Sequence, residues 1–267
     1  MNLDPIGVFD SGIGGLTVAR AVKELMPHES IVYFGDTAHL PYGDKSEAAI
    51  QAYSIKITDI LLEKGCKAMV VACNSASASA YNLLTEYAGK RLEIINVIDP
   101  MVSYVGEHFQ GAKVGLIGTK RTVGSGVYDD KIKAVQKNIR FKSMATPLLV
   151  PMIEEGFFNQ KISHDIIEKY LSEAALSDID ALILGCTHYP LIKEEISAYL
   201  KDKVEVLDSS EITAHYLKDR LQNRNILADI QQNKDEFMVS DFTDSFESST
   251  KLFFGEQVKL TDYRLWE

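Results

Sequence analysis

Two stretches of this chain echo two others at an offset of about 110 residues, and that self-similarity constrains the fold more than any single motif. Ile6-Gly7-Val8-Phe9-Asp10-Ser11 aligns with Val114-Gly115-Leu116-Ile117-Gly118-Thr119, and Ala68-Met69-Val70-Val71-Ala72-Cys73 aligns with Ala181-Leu182-Ile183-Leu184-Gly185-Cys186. Each half also closes on an apolar run ending in Asp, at Ile98-Asp99 and Leu207-Asp208. Short apolar runs alternate with helical periodicity almost throughout, the pattern of an α/β protein with mainly parallel sheets. Strands are predicted at Ile6 to Asp10, Ile31 to Gly35, Ala68 to Ala72, Ile94 to Ile98, Val114 to Ile117, Phe141 to Ala145, Ala181 to Leu184 and Val204 to Leu207. Val18, Val22 and Leu25 predict a helix after Gly14-Gly15, and Ile50, Tyr53, Ile57 and Leu61 predict another with an Asp44-x-x-Glu47 start.

The expected architecture is therefore two pseudo-symmetric α/β lobes with mainly parallel sheets flanked by helices, and an active site in the cleft between them. Residues 1–98 with 210–267 are assigned to the first lobe, and 99–209 to the second. Helices are predicted from Ser210 to Leu221 and between Asp241 and Phe254, separated by a polar Asn- and Gln-rich segment from Asn223 to Lys234. Lacking a counterpart in the first half, they are expected to pack back on the first lobe as a helical extension.

In open parallel sheets, ligands bind beyond the carboxyl ends of the strands. Cys73 and Cys186 both follow an apolar strand at matched repeat positions, so facing the two strand ends across a cleft puts one thiol on each wall. An unpaired Cys is by itself a common core residue. Two at equivalent places argue for a role. Of the three cysteines, Cys66 lacks the echo and reads as a packing residue; none forms CxxC or sits at zinc-ligand spacing, and no metal is expected.

The segment Phe9-Asp10-Ser11-Gly12-Ile13-Gly14-Gly15 follows a strand and opens a helix, as a nucleotide-phosphate loop does. It departs from that motif in detail. Thr17 stands where the third glycine of GxGxxG belongs, no Walker lysine follows, and Asp10 puts negative charge beside any phosphate. Its N–H groups and the Ser11 hydroxyl suit a carboxylate instead, with Asp10 accepting a proton or binding an ammonium group, although a plain chain reversal would use the same glycines. In Ala72-Cys73-Asn74-Ser75, small neighbours leave room around the thiol, and a helix starting here favours the thiolate. Leu184-Gly185-Cys186-Thr187-His188-Tyr189-Pro190 repeats the arrangement; Cys186 with His188 also fits a thiol hydrolase pair, and a lone His is often structural.

Inverting an α-carbon explains a need for two thiols. The proton must leave one face and return to the other, which calls for two opposed acid–base groups. A thiol with a reference pKa of about 8.5 changes protonation state near neutrality after modest tuning. A net charge of −10 argues against a phosphate backbone as partner, so no nucleic acid is expected. Neither a signal peptide nor a run of roughly 18 apolar residues is evident, which predicts a cytoplasmic protein without membrane contact and without structural disulfides.

Taken in order, Asp10-Ser11-Gly12-x-Gly14-Gly15, Gly35-Asp36 with Pro41-Tyr42-Gly43, Ala72-Cys73-Asn74, Val150-Pro151-x-x-Glu154 and Gly185-Cys186-Thr187-His188-Tyr189-Pro190 resemble the glutamate racemases of the aspartate/glutamate racemase superfamily, along nearly the whole chain. The resemblance implies interconversion of L- and D-glutamate for peptidoglycan, without pyridoxal phosphate, metal or other cofactor, in an enzyme that can form a homodimer. It implies that Cys73 serves the α-proton of the D-enantiomer and Cys186 that of the L-enantiomer, with Asp10 assisting Cys73, His188 assisting Cys186, and Asp36 and Glu154 as further polar members of the site. Asp10, Ser11, Pro41, Tyr42, Gly43, Asn74, Ser75, Thr119, Thr187 and His188 would bind the substrate.

Ser75 departs from the family's usual Thr, keeping the hydroxyl but losing a methyl, so a slightly looser site is expected. Family members activated by a cell-wall precursor carry an extension before the first strand, and with none seen here that regulation is not expected. The alternatives are an aspartate racemase on the same scaffold and a non-catalytic two-lobed amino-acid-binding protein.

Overall fold

The computed structural model describes residues 2–201, 203–230 and 233–266. The outer ends of the first lobe as assigned, Met1 and Glu267, and Gln231 and Gln232 of the expected polar segment lie outside the described residues. Among the described residues, ten strands form two sheets: β1 Ile6–Asp10, β2 Ile31–Gly35, β3 Ala68–Val71, β4 Glu93–Asn96, β5 Lys113–Gly118, β6 Arg140–Ala145, β7 Ala181–Gly185, β8 Glu205–Asp208, β9 Glu236–Val239 and β10 Thr261–Asp262. One sheet has the order β10-β9-β2-β1-β3-β4 and the other β6-β5-β7-β8, and every pairing is parallel.

The sequence echo is a repeat of strand order. The run β2-β1-β3-β4 in one sheet matches β6-β5-β7-β8 in the other. The register follows it too: Ile6 lies opposite Ala68 in the first sheet and Val114 opposite Ala181 in the second, the four residues at which the echoed segments begin. Central strands β1, β3 and β7 are buried along their whole length, because helices cover both faces of a parallel sheet and leave no polar side to alternate.

Three local expectations shift. Ile98 and Asp99 belong to the helix Ile98–His108, not to a strand, because Asn96 Oδ1 accepts the N–H groups of both and ends β4. The helix Glu47–Glu63 is capped by Ser46, whose side chain accepts from Ala49 N; Asp44 pairs with Lys120 instead. The C-terminal stretch holds the helices Ser209–Asn223 and Asp244–Phe254 but also β9, which pairs with β2, and β10, so it extends the first sheet as well as adding helices.

The helix Leu16–Leu25 buries Leu16, Val18, Ala19 and Val22 in an apolar cluster that also contains Leu217 and Leu221 of Ser209–Asn223, Phe253 and Phe254, Leu184 of β7, and Tyr189 and Ile192 from the segment after it. Each such side chain contributes about 1.5–3 kcal/mol on burial, so this shared cluster holds the second cysteine's strand against the first half. Among the described residues, no helix is long and apolar enough to cross a membrane.

Candidate active site

A cavity of about 210 Å³ opens at the carboxyl ends of the strands of both sheets. Ser11 follows β1, Leu40 to Asp44 follow β2, and Cys73, Asn74 and Ser75 follow β3; from the other sheet come Thr119 and Lys120 after β5, Thr146 to Glu154 after β6, and Cys186 to Tyr189 after β7. Both thiols, each 6 % exposed, line it. Ser11, Pro41, Tyr42, Gly43, Asn74, Ser75, Thr119, Glu154, Thr187 and His188 are brought to the same walls.

Asp10 and Asp36 are not. Both are fully buried behind the lining. Asp10 Oδ2 accepts from Gly15 N at 2.9 Å and Gly12 N at 3.1 Å, folding the glycine loop around itself. Burial raises its carboxyl above the usual range, partly offset by the nearby His188 charge and by the loop N–H groups. Asp36 accepts from Tyr42 Oη at 2.6 Å, from Ser240 Oγ at 2.7 Å, and lies 2.7 Å from His39 Nδ1. It therefore acts on the cavity through the Tyr42 wall. Removing the phenol leaves Asp36 Oδ2 without that donor in a closed interior, a loss of about 1–3 kcal/mol. Tyr42→Phe is accordingly expected to lower the melting temperature by several degrees, at roughly 2–4 °C per kcal/mol for a protein of this size class; an unchanged calorimetric transition would show that Asp36 does not depend on this wall.

The two thiols differ in surroundings. Cys73 is the N-cap of the helix Asn74–Ala88: its sulfur accepts from Ala76 N at 3.4 Å and donates to Ser11 Oγ at 3.5 Å. The helix does start where the sequence places it, yet it does not decide the acidity. Burial first, and then the Asp10 charge, push the thiol up to about 12 against those hydrogen bonds. Cys186 lies 3.9 Å from His188 Nδ1, and His188 Nε2 lies 2.9 Å from Glu154 Oε1. Burial alone would lower the imidazole, but its contacts with Cys186 and Glu154 prevail and raise it to about 10. His188 is thus protonated at neutral pH, with one N–H toward the sulfur and the other on the carboxylate.

Sequence reasoning missed several participants. Phe253 packs edge-on to the His188 ring, centroids 5.1 Å apart, and belongs to the C-terminal helix. Thr146 shares a 2.7 Å hydrogen bond with Tyr189 and lines the cavity, as do Pro147, Leu40 and Asp44. Thr146 follows a strand end of the duplicated half, the one signal that could have found it. Lys120 is a wall residue at the mouth, paired with Asp44 at 3.2 Å. Asn74 Oδ1 accepts from Tyr128, while its buried Nδ2 has no protein partner among the described residues and remains a donor for a ligand. Ser75 and Thr119, from opposite halves, share a 2.9 Å hydrogen bond. Among the described residues, no group of three or more His, Cys, Asp or Glu has metal-binding geometry.

The sequence profile of the Asp/Glu/Hydantoin racemase family matches residues 16–217. Glutamate racemase of Chlorobium phaeobacteroides is 40% identical over 250 residues, 93% of this chain and 92% of that protein. The chain belongs to the Asp/Glu/hydantoin racemase family, and within it to the glutamate racemases. A glutamate racemase structure from Francisella tularensis, in complex with D-glutamate, superposes with a TM-score of 0.92 at 37% identity, covering 100% of this chain and 99% of that one. The isoform RacE1 from Bacillus anthracis gives 0.93 at 34% identity, covering 99% of each. An aspartate racemase from Picrophilus torridus, at 20% identity and a TM-score of 0.56, shares the fold alone. This family member is thus an amino-acid racemase, an isomerase, with both repeat-matched cysteines at its cavity.

Proposed function

We propose that this chain interconverts L- and D-glutamate by two-base proton transfer without a cofactor, with Cys186 acting on the L-enantiomer and Cys73 on the D-enantiomer. The observation that carries it is the pair of buried thiols lining one cavity, each beyond the equivalent strand of a different sheet. From L-glutamate, the Cys186 thiolate takes the α-proton and the electron pair stays on the α-carbon. The Cys73 thiol then delivers its proton to the other face, leaving a thiolate there and a thiol at Cys186. The reverse direction runs the same steps backward. Cys73 holds its proton in the substrate-free site and so stands ready as the acid of the L-to-D direction.

Substrate binding follows from the remaining groups. The N-terminus of the helix Asn74–Ala88, the Asn74 amide and the Ser75 and Thr119 hydroxyls offer donors to carboxylates, as does Thr187. Asp10, behind Ser11, supplies negative charge toward the ammonium group. Glutamate is favoured over aspartate because the relatives close to this chain along its length are glutamate racemases, one of them holding D-glutamate.

The test is stereochemical. Circular dichroism of L-glutamate incubated with the enzyme is expected to decay to zero, while L-aspartate keeps its signal. Aspartate losing its signal while glutamate keeps it would replace the substrate; neither losing it would leave an amino-acid-binding protein. We place the enzyme in the cytoplasm, supplying D-glutamate for peptidoglycan, with a homodimer expected by light scattering of the same preparation.

A further inference from the structure

Thr17, the residue that spoils the phosphate-loop motif, is 8 % exposed and does not line the cavity. Its Oγ1 lies 3.0 Å from the Gly14 carbonyl, a local contact open to any threonine near a helix start. It also lies 3.0 Å from the carbonyl of Thr187, 170 residues away, between Cys186 and His188. Ser210, in the first turn of the helix Ser209–Asn223, donates its hydroxyl to Thr17 Oγ1 at 3.3 Å. One buried hydroxyl therefore joins the start of the helix Leu16–Leu25, the loop of the second cysteine and the first turn of a third element. The loops are already in close contact there: a Cβ on Gly14 would meet His188 at 2.5 Å and Thr187 Oγ1 at 2.6 Å.

We propose that Thr17 is a positioning residue whose hydroxyl fixes the Cys186-Thr187-His188 loop against the glycine loop, and so sets where Cys186 stands relative to a substrate held from the Cys73 side. The proposal rests on the two-base reading. Fixing the Thr187 carbonyl fixes the peptide plane between Thr187 and His188, and with it both members of the Cys186–His188 pair. Displacement of a reacting group by about 1 Å can cost about 100-fold in rate. Thr17→Val keeps the shape and removes the hydroxyl, so the loop loses its anchor without opening a void.

L- and D-glutamate have equal free energy in water, so kcat/KM must fall equally in both directions and cannot reveal which step slowed. Deuterium at the α-carbon can. When the Cys186 step becomes the higher barrier, the isotope effect on kcat/KM grows for α-deuterated L-glutamate, whose C–D bond breaks in that step. For α-deuterated D-glutamate it shrinks, because that bond breaks in the earlier Cys73 step. Thr17→Val is expected to lower kcat/KM about 10- to 100-fold, with this opposed change in the two isotope effects, and Thr17→Ser to restore both.

A parent-like rate overturns the proposal, as does a loss in which the two isotope effects move together or in the opposite sense. Should Thr17→Val not yield folded protein, Ser210→Ala, which removes the donor to Thr17, is read by the same pair of isotope effects. Cys186→Ser separates the two failures. If that variant racemises as fast as the parent, the two-base reading is wrong; if it is inactive while Thr17→Val is parent-like, the positioning role alone is lost.

Discussion

Cys73→Ser and Cys186→Ser are each expected to lower kcat for glutamate racemisation by about 10³-fold or more, near the upper part of the range for loss of a general acid or base. A serine hydroxyl is far less acidic than a thiol, so at either position it serves poorly as base, and His188, beside Cys186, is protonated and held on Glu154 and cannot replace the thiolate. The residual chemistry is expected to be stereochemically matched. In deuterated water, Cys73→Ser exchanges the α-proton of L-glutamate slowly without forming D-glutamate, because Cys186 and His188 remain; Cys186→Ser does so with D-glutamate. Proton NMR of the α-hydrogen, run beside circular dichroism, reads both quantities. Exchange of the opposite enantiomer in each variant would reverse the assignment of faces, and parent-like racemisation by both would dismiss the thiols. Alkylation of the parent should abolish activity, with protection by glutamate.

Gly14→Ala is expected to lower kcat/KM by about 100-fold in a protein that still folds. Its added methyl would fall 2.5 Å from the His188 ring and 2.6 Å from Thr187 Oγ1. The ring has little room to retreat, since Glu154 holds Nε2 and Phe253 stands against the ring. Gly14 is not among the glycines with positive φ, so the change displaces His188 and the adjacent cysteine without straining the backbone. Gly65→Ala is the complementary control: φ is +71° and nothing lies within 4 Å, so it should cost stability but not activity. Steady-state kinetics with a thermal melt of each variant would decide it. A folded Gly14→Ala enzyme within a few-fold of the parent would show that the two loops can part without harm.

Several residues show why some of the site stays hidden in a sequence. Phe253 is one aromatic residue on a helix with an ordinary apolar face, and only its contact with a histidine 65 positions earlier makes it part of the site. Asp36 shares a motif with Tyr42, yet sits behind it; motif proximity does not distinguish a wall from its support. β9 is not legible in the sequence, because a four-residue run such as Glu236-Phe237-Met238-Val239 carries little periodicity and its partner β2 lies about 200 residues away. Its pairing places Ser240 on Asp36, so the C-terminal stretch reaches the cavity wall from outside.

Cys73 and Cys186 were legible as a pair because duplication copies strand, loop and position together, and a continuous apolar run ending in a distinctive residue survives as a pattern. Eight strands, the division into two similar halves and the identity of the two thiols follow from that; the strand order in each sheet does not. Nor do the groups that set the chemistry of the thiols. The raised pKa of Cys73, the protonated His188 held between Cys186 and Glu154, and the Thr17 hydroxyl joining three elements depend on burial and on distances of 3 to 4 Å that the packed fold sets. Such distances are fixed only when helices pack and exclude water, because hydrogen-bond and charge energies change steeply with separation and solvent access.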